Sequence, residues 1–234
     1  MLCPENAVRS FLEEGVGNGG TLRCGERVET IDLDGSSVRM RTEDGVIEAG
    51  RLVVAAGAWT APLVPGEVPL QPTRQLLGWT RGSDPASLEE GRVPIWAFAD
   101  EPDSFQYGFP ICRDFPGPRH PKVARHCDGE PCDPDTVDRE IHEADESFLL
   151  RNLAAHVPAA DGPLVEARVC LYTLSPDRHF VIDRHPHDER VVVASGFSGH
   201  GFKFCTVLGE AAADLALEGG TALPIDFLAR SRPS

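Results

Sequence analysis

Apolar positions change their spacing several times along this chain, and each change marks a predicted element. Val8, Phe11 and Leu12 fall on one side of a helix that opens at Pro4 and Glu5 and stops at Gly15. Strand-like runs follow at 27–33 and 37–41, the second pairing with 46–49 across the Glu43-Asp44-Gly45 turn. In Arg51-Leu-Val-Val-Ala-Ala-Gly-Ala-Trp59 the apolar run shows no alternation and ends at Ala56-Gly57. That pattern predicts a strand buried on both faces, its carboxyl end delivered to a ligand crevice.

The middle of the chain reads differently. Prolines are frequent from 62 to 134, and strand-like pieces such as 75–80 and 95–99 alternate with loops. This predicts an antiparallel sheet inserted into the first domain, with a helix near 145–156. The α/β pattern then returns with apolar runs at 180–183 and 191–194 and a helical run at 206–217. The fold class is therefore α/β plus α+β, a domain that opens, is interrupted and closes. Neither an internal repeat nor a low-complexity tract is visible.

The most informative stretch is Val193-Ala-Ser-Gly-Phe-Ser-Gly-His-Gly-Phe-Lys-Phe204. A short strand enters Gly196, Gly199 and Gly201, and a helix leaves them, which predicts a tight turn with unpaired helix amides facing outward. Such an end suits an electron-rich ligand edge. Glycine lets the backbone approach that ligand, and Lys203 adds a cation. A glycine-rich turn that only packs has the same local signature.

Composition narrows the classes. The 234 residues suit one large domain or two small ones, and 41% hydrophobic with 25% charged residues is ordinary for a globular protein. A net charge of -15 argues against a basic nucleic-acid or anionic-membrane surface. No apolar run reaches bilayer-spanning length, and no signal-peptide pattern opens the chain. Seven irregularly spaced cysteines do not read as a disulfide framework, so reduced thiols and a cytoplasmic location are expected.

Single residues carry the candidate chemistry. Lys122 lies in the basic island Arg119-His-Pro-Lys-Val-Ala-Arg-His126, where a lysine near a redox centre would stabilise negative charge on reduced oxygen. His120, His126, Cys127, Cys132 and His142 match no zinc spacing, and no metal is expected. Tyr107 precedes Gly108-Phe109-Pro110 as a strand-end aromatic. Cys170 has apolar neighbours, the setting of an inert thiol.

In order, Leu52-Val-Val-Ala-Ala-Gly-Ala-Trp59, Pro69-Leu-Gln-Pro-Thr-Arg-Gln75, Tyr107-Gly-Phe-Pro110, Asp133-Pro-Asp-Thr136, Val169-Cys-Leu-Tyr-Thr173, His179-Phe-Val-Ile-Asp183 and Gly196-Phe-Ser-Gly-His-Gly-Phe-Lys-Phe204 form a set of landmarks. With them the chain resembles the C-terminal two-thirds of the monomeric sarcosine oxidase and N-methyltryptophan oxidase family. These are FAD-dependent amine oxidoreductases of the D-amino-acid-oxidase-like superfamily. The resemblance implies an incomplete FAD-binding, glutathione-reductase-like domain over 1–65 and 166–234, interrupted by an antiparallel substrate domain over 66–165.

The resemblance also assigns roles. Cys170 matches the position that attaches the flavin through a thioether, and Lys122 the lysine that promotes reaction with oxygen. His126 and Tyr107 match side chains around the amine, and Tyr172 lines the same pocket. Lys203 matches a cation that holds the substrate carboxylate. Gly196, Phe197, Gly199, His200, Gly201 and Phe202 match a turn along the flavin ring. Ala56, Gly57 and Trp59 match a further cofactor turn, and Val28 a backbone contact at the adenine end. The implied reaction oxidises a secondary N-methyl amino acid to an imine, with oxygen reduced to hydrogen peroxide.

One departure is large. The family's opening strand, G-x-G-x-x-G turn and helix are not found, because Gly15-Val-Gly17-Asn-Gly-Gly20 follows a helix rather than a strand. Three readings follow: a shortened oxidase inactive alone, a subunit of a heteromeric flavin dehydrogenase whose partner chain supplies the nucleotide-binding unit, and a binding module without redox chemistry. Retention of Cys170, Lys122 and Lys203 together speaks against the third. The partners expected are a small amine and oxygen, and neither nucleic acid nor membrane.

Overall fold

The computed structural model describes residues 2–65, 69–102, 104–126 and 129–232. Cys127, weighed above as a metal ligand, lies outside them. In chain order the elements are α1 (Pro4–Gly17), β1 (Val28–Asp32), β2 (Val38–Thr42), β3 (Gly45–Ala49), β4 (Leu52–Val54) and α2 (Thr60–Leu63). Next come β5 (Gln71–Thr80), β6 (Trp96–Glu101), β7 (Ser104–Phe109), β8 (Lys122–His126), β9 (Glu130–Pro131), α3 (Glu143–Leu150) and α4 (Leu153–His156). The chain closes with β10 (Leu164–Leu174), β11 (Val181–His185), β12 (Asp188–Ser195) and α5 (Cys205–Leu217). They divide into two compact units, Met1–Glu5 with Thr73–Leu171, and Asn6–Pro72 with Tyr172–Ser234.

The first unit is built on a six-stranded sheet ordered β10-β5-β8-β7-β6, with β9 also on β5. The pairs β5–β8, β8–β7, β7–β6 and β5–β9 are antiparallel. One face of this sheet is core: Trp96 and Val123 pack with Leu88, Leu153 and Ala160. Gln106, fully buried on that face, donates to the carbonyls of Leu149 and Arg151 at 3.0 and 3.1 Å and ties α3 to β7. The helix expected near 145–156 is broken into α3 and α4. Asn152, at φ 66°, takes the left-handed conformation between them.

Gly108 leaves room for the ring of Trp96, its cross-strand partner on β6. A Cβ at this position would meet that ring and stand 2.6 Å from the carbonyl oxygen of Lys122. Gly108→Ala is therefore expected to destabilise the first unit by about 1–3 kcal/mol through overpacking. A chemical-denaturation midpoint unchanged from wild type would contradict this.

The second unit holds two smaller sheets. The first is the antiparallel meander β1-β2-β3, in which Thr42 pairs with Gly45 across Glu43 and Asp44. The second has the order β11-β12-β4, with β11–β12 antiparallel and β12–β4 parallel. Strand β12 is buried on both faces, as a run of Val191, Val192, Val193 and Ala194 requires. Val191 and Val193 join Val54, Val38 and Val64 in one core. Val192 packs on Ala212 and Ala216 of α5, and Ala194 on Leu208.

Two expectations need correcting. Strand β4 is covered on one face only: Val54 is buried, whereas Val53 is 40% exposed, and β4 forms the edge of its sheet. The helix α1 has the predicted apolar stripe but buries none of it. Val8, Phe11, Leu12 and Val16 are each 43–50% exposed, because no described element packs against them closely enough to bury them. The glycines at 15–20 close this helix, the Gly20 amide donating to the Gly15 carbonyl at 2.9 Å.

Candidate functional site

In the first unit, cross-strand register decides which side chains meet. Lys122 of β8 stands opposite Trp79 of β5 and Phe109 of β7, and His126 stands opposite Phe105. Directly opposed residues share a face, and so do alternate ones along a strand. Trp79, Phe105, Tyr107, Phe109, Lys122 and His126 therefore occupy the face turned away from the Trp96 core. Tyr107 meets Phe109 edge-on at 6.0 Å, and His126 stacks on Phe105 at 4.9 Å between ring centroids.

Lys122 is half-buried in this aromatic row. Its ammonium lies 5.7 Å from the Trp79 ring centroid and 5.5 Å from that of Phe109. Burial lowers its proton affinity below the ordinary lysine value, and the charges of Cys170 and Glu5 oppose that shift. Cys170 of β10 is half-buried too, and desolvation raises its pKa while the Lys122 charge lowers it.

The second unit holds the other predicted residues. The parallel strands β4 and β12 end side by side, so the turns at 55–59 and 196–201 leave from neighbouring carboxyl ends. Ala56, Gly57 and Trp59 form the first turn, the Trp59 amide donating to the Ala56 carbonyl at 3.0 Å. The second turn is pinned by Ser198, whose amide donates to the Thr173 carbonyl and whose Oγ donates to the Gly196 carbonyl, at 3.1 and 3.0 Å. Gly199, at φ 81°, packs directly on the ring of Tyr172 and has no space for a side chain. Phe197 and His200 both pack on Phe180, with centroids 5.4 and 4.7 Å away.

The glycine run does not lead into a bare α-helix. A 3-10 turn, Phe202–Phe204, intervenes, and the amides of Phe204 and Cys205 donate to Gly201 and Phe202. This corrects the expected row of open helix amides. Phe202 and Lys203 are exposed, and the Lys203 ammonium lies 5.6 Å from the Phe204 ring centroid. Val28 opens β1 on the meander. Beside β4 and α5 lies an apolar groove of about 470 Å³, lined by Val53, Ala55, Phe202, Leu208, Ala212 and Ala213 among others.

Sequence reasoning missed Trp79, Phe109 and Arg168. Each is far from Lys122 in the chain, and only strand register brings them to it. No group of three or more His, Cys, Asp or Glu side chains that could hold a metal occurs among the described residues. No helix among those residues is long and apolar enough to cross a membrane.

A strand–turn–helix with a parallel neighbour, joined in one chain to an antiparallel sheet bearing a lysine and a thiol, defines a class. The chain belongs to the DAO family of FAD-dependent oxidoreductases, whose model matches residues 1–215. It is 36% identical over its whole length to monomeric sarcosine oxidase of a Bacillus species, and 31% identical over 98% of its length to N-methyl-L-tryptophan oxidase of Yersinia pestis. It spans 60% of each of these relatives, corresponding to their C-terminal portion. Among solved structures, NikD, an unusual amino acid oxidase essential for nikkomycin biosynthesis, matches with a TM-score of 0.74 and 28% identity, over 92% of this chain and 56% of that one.

The residues present suit the ring end of FAD. The crowded Gly199 turn offers bare backbone beside aromatic side chains, and the Lys122 face offers a cation beside a thiol. For the pyrophosphate end, no glycine fingerprint between a strand and a helix occurs among the described residues.

Proposed function

We propose that this chain forms the substrate and ring-binding part of an FAD-dependent oxidase of secondary N-methyl amino acids. The observation that carries this reading is the grouping of Lys122, Cys170, Tyr107 and His126 around one sheet of the first unit. When bound, FAD supplies hydride acceptance from the amine carbon and return of the electrons to oxygen. Cys170 holds it covalently. Lys122 places positive charge where reduced oxygen develops negative charge. Tyr107 and Tyr172 border the amine, Lys203 takes its carboxylate, and His126 keeps the nitrogen neutral. The turns at 56–59 and 196–202 and the backbone of Val28 would help to hold the cofactor when it is bound.

The free β4 edge and the groove beside α5 suit one further strand, parallel to β4, with a helix laid over Val53 and Ala55. We assign them to polypeptide equivalent to the N-terminal portion of the relatives, in the same chain or supplied by a partner chain. On this reading, residues 1–234 alone bind flavin poorly and aggregate. A yellow, monomeric preparation that melts cooperatively would contradict it.

The test joins the N-terminal portion of the Bacillus relative to this chain or co-expresses the two. A flavin-fluorescent band should survive acid denaturation on a gel and vanish in Cys170→Ser. Peroxide release should follow addition of sarcosine or N-methyltryptophan. A folded, flavin-loaded product that oxidises neither amine would refute the proposed substrate class.

A further inference from the structure

Among all the Lys and Arg residues of the chain, only Lys122 and Lys203 are lysines. Arginine serves where a fixed charge suffices, because it cannot lose its proton in a protein. Lysine responds to its surroundings. A chain that writes nearly every strong cation as arginine keeps a lysine at 122, between two aromatic rings.

One of those rings carries a second cation. The guanidinium carbon of Arg168 lies 5.0 Å from the centroid of Trp79, the ring that also faces Lys122. Arg168 has its own counter-ion in Glu166, two residues earlier and on the same face of β10. No role assigned above uses either residue.

We propose that Arg168 is a positioning residue for Lys122: the two cations share the indole of Trp79, and the Arg168–Glu166 pair sets how much positive charge the lysine faces. The groups facing Lys122 are few. From β10 come Cys170 and Arg168, from the start of α1 Glu5, from β5 Trp79, and from β7 Phe109; His126 lies two positions along β8. Desolvation loosens the lysine's proton most, Cys170 and Glu5 hold it, and Arg168 pushes it off. Arg168 is the one nearby cation in that set, so its charge gives the pair a signed effect. Its catalytic meaning rests on the proposed role of Lys122, but the coupling itself does not.

Reductive ¹³C-methylation of the chain co-expressed with the N-terminal portion of the Bacillus relative labels the lysines and α-amines, and the α-amines titrate in their own lower range. The signal lost in Lys122→Arg is assigned to Lys122 and followed against pH. Arg168→Gln should raise the Lys122 midpoint by roughly half a pH unit, as removal of a part-solvated like charge requires. Glu166→Gln, which leaves the guanidinium uncompensated, should move it down. Opposite shifts support the proposal; any other pattern, including equal shifts from altered packing, overturns it. The measurement needs no flavin, so failure of turnover with intact opposite shifts would sink the proposed function alone.

Discussion

Lys122→Met, in flavin-loaded protein, slows reoxidation by oxygen by about 100-fold or more and leaves reduction by the amine far less affected. Methionine keeps much of the length and the apolar contact with Trp79 and Phe109, so the change isolates the charge. That charge sits partly out of water between two rings, where its field is screened less than at an open surface. Oxygen gains negative charge during reoxidation, whereas the amine step moves hydride away from substrate. The two half-reactions should therefore separate. Stopped-flow absorbance measures them independently, reduction without oxygen and reoxidation after mixing with it. Equal slowing of both would refute the assigned role.

Arg74→Ala is the substitution expected to cost most stability. Its guanidinium meets both Asp145 oxygens at 2.8 Å, and also donates to the carbonyls of Asp138 and Glu140 at 2.9 and 2.8 Å. Asp145 in turn accepts the His142 amide at 3.0 Å, at the start of α3. Both partners are mostly buried, at 13% and 12% side-chain exposure. Removal of one leaves a buried charge and two carbonyls without a donor, at about 3 kcal/mol or more. The Arg74 hydrogen bond is the main reason the Asp145 carboxyl lies below its ordinary pKa. Stability from a depressed carboxylate is present above its unfolded value near pH 4 and is lost as pH falls through the lower folded value. Wild type should thus lose Tm on acidification below about pH 4, and Arg74→Ala should lose much less over the same window. Asp177, held well below the carboxylate range first by Arg232, adds to the acid loss in both proteins. Parallel acid limbs for wild type and variant would argue against the pairing.

Local pattern carried much of this fold. The Glu43-Asp44 turn, the apolar run at 191–194 and the glycines behind it were legible because each element declares itself within a dozen residues. Long-range facts were not. The stripe Val8, Phe11, Leu12, Val16 predicts burial, and nothing local tells whether a partner surface exists to bury it. The 3-10 turn at 202–204 and the left-handed Asn152 depend on tertiary packing that propensity does not encode. At the site, Lys122 and Cys170 came from resemblance. Trp79 and Phe109 needed the β5–β8–β7 register, and Arg168 the placement of β10 beside β5, which no spacing in the sequence reveals.

Because an indole's emission colour follows the electric field across its ring, Trp79 is a built-in optical gauge of the two cations that flank it. Any molecule that seats on this face and redistributes those charges should retune its glow. Loss of the ligand-induced colour change in Trp79→Phe, with Trp59 and Trp96 retained, would assign that signal to this ring.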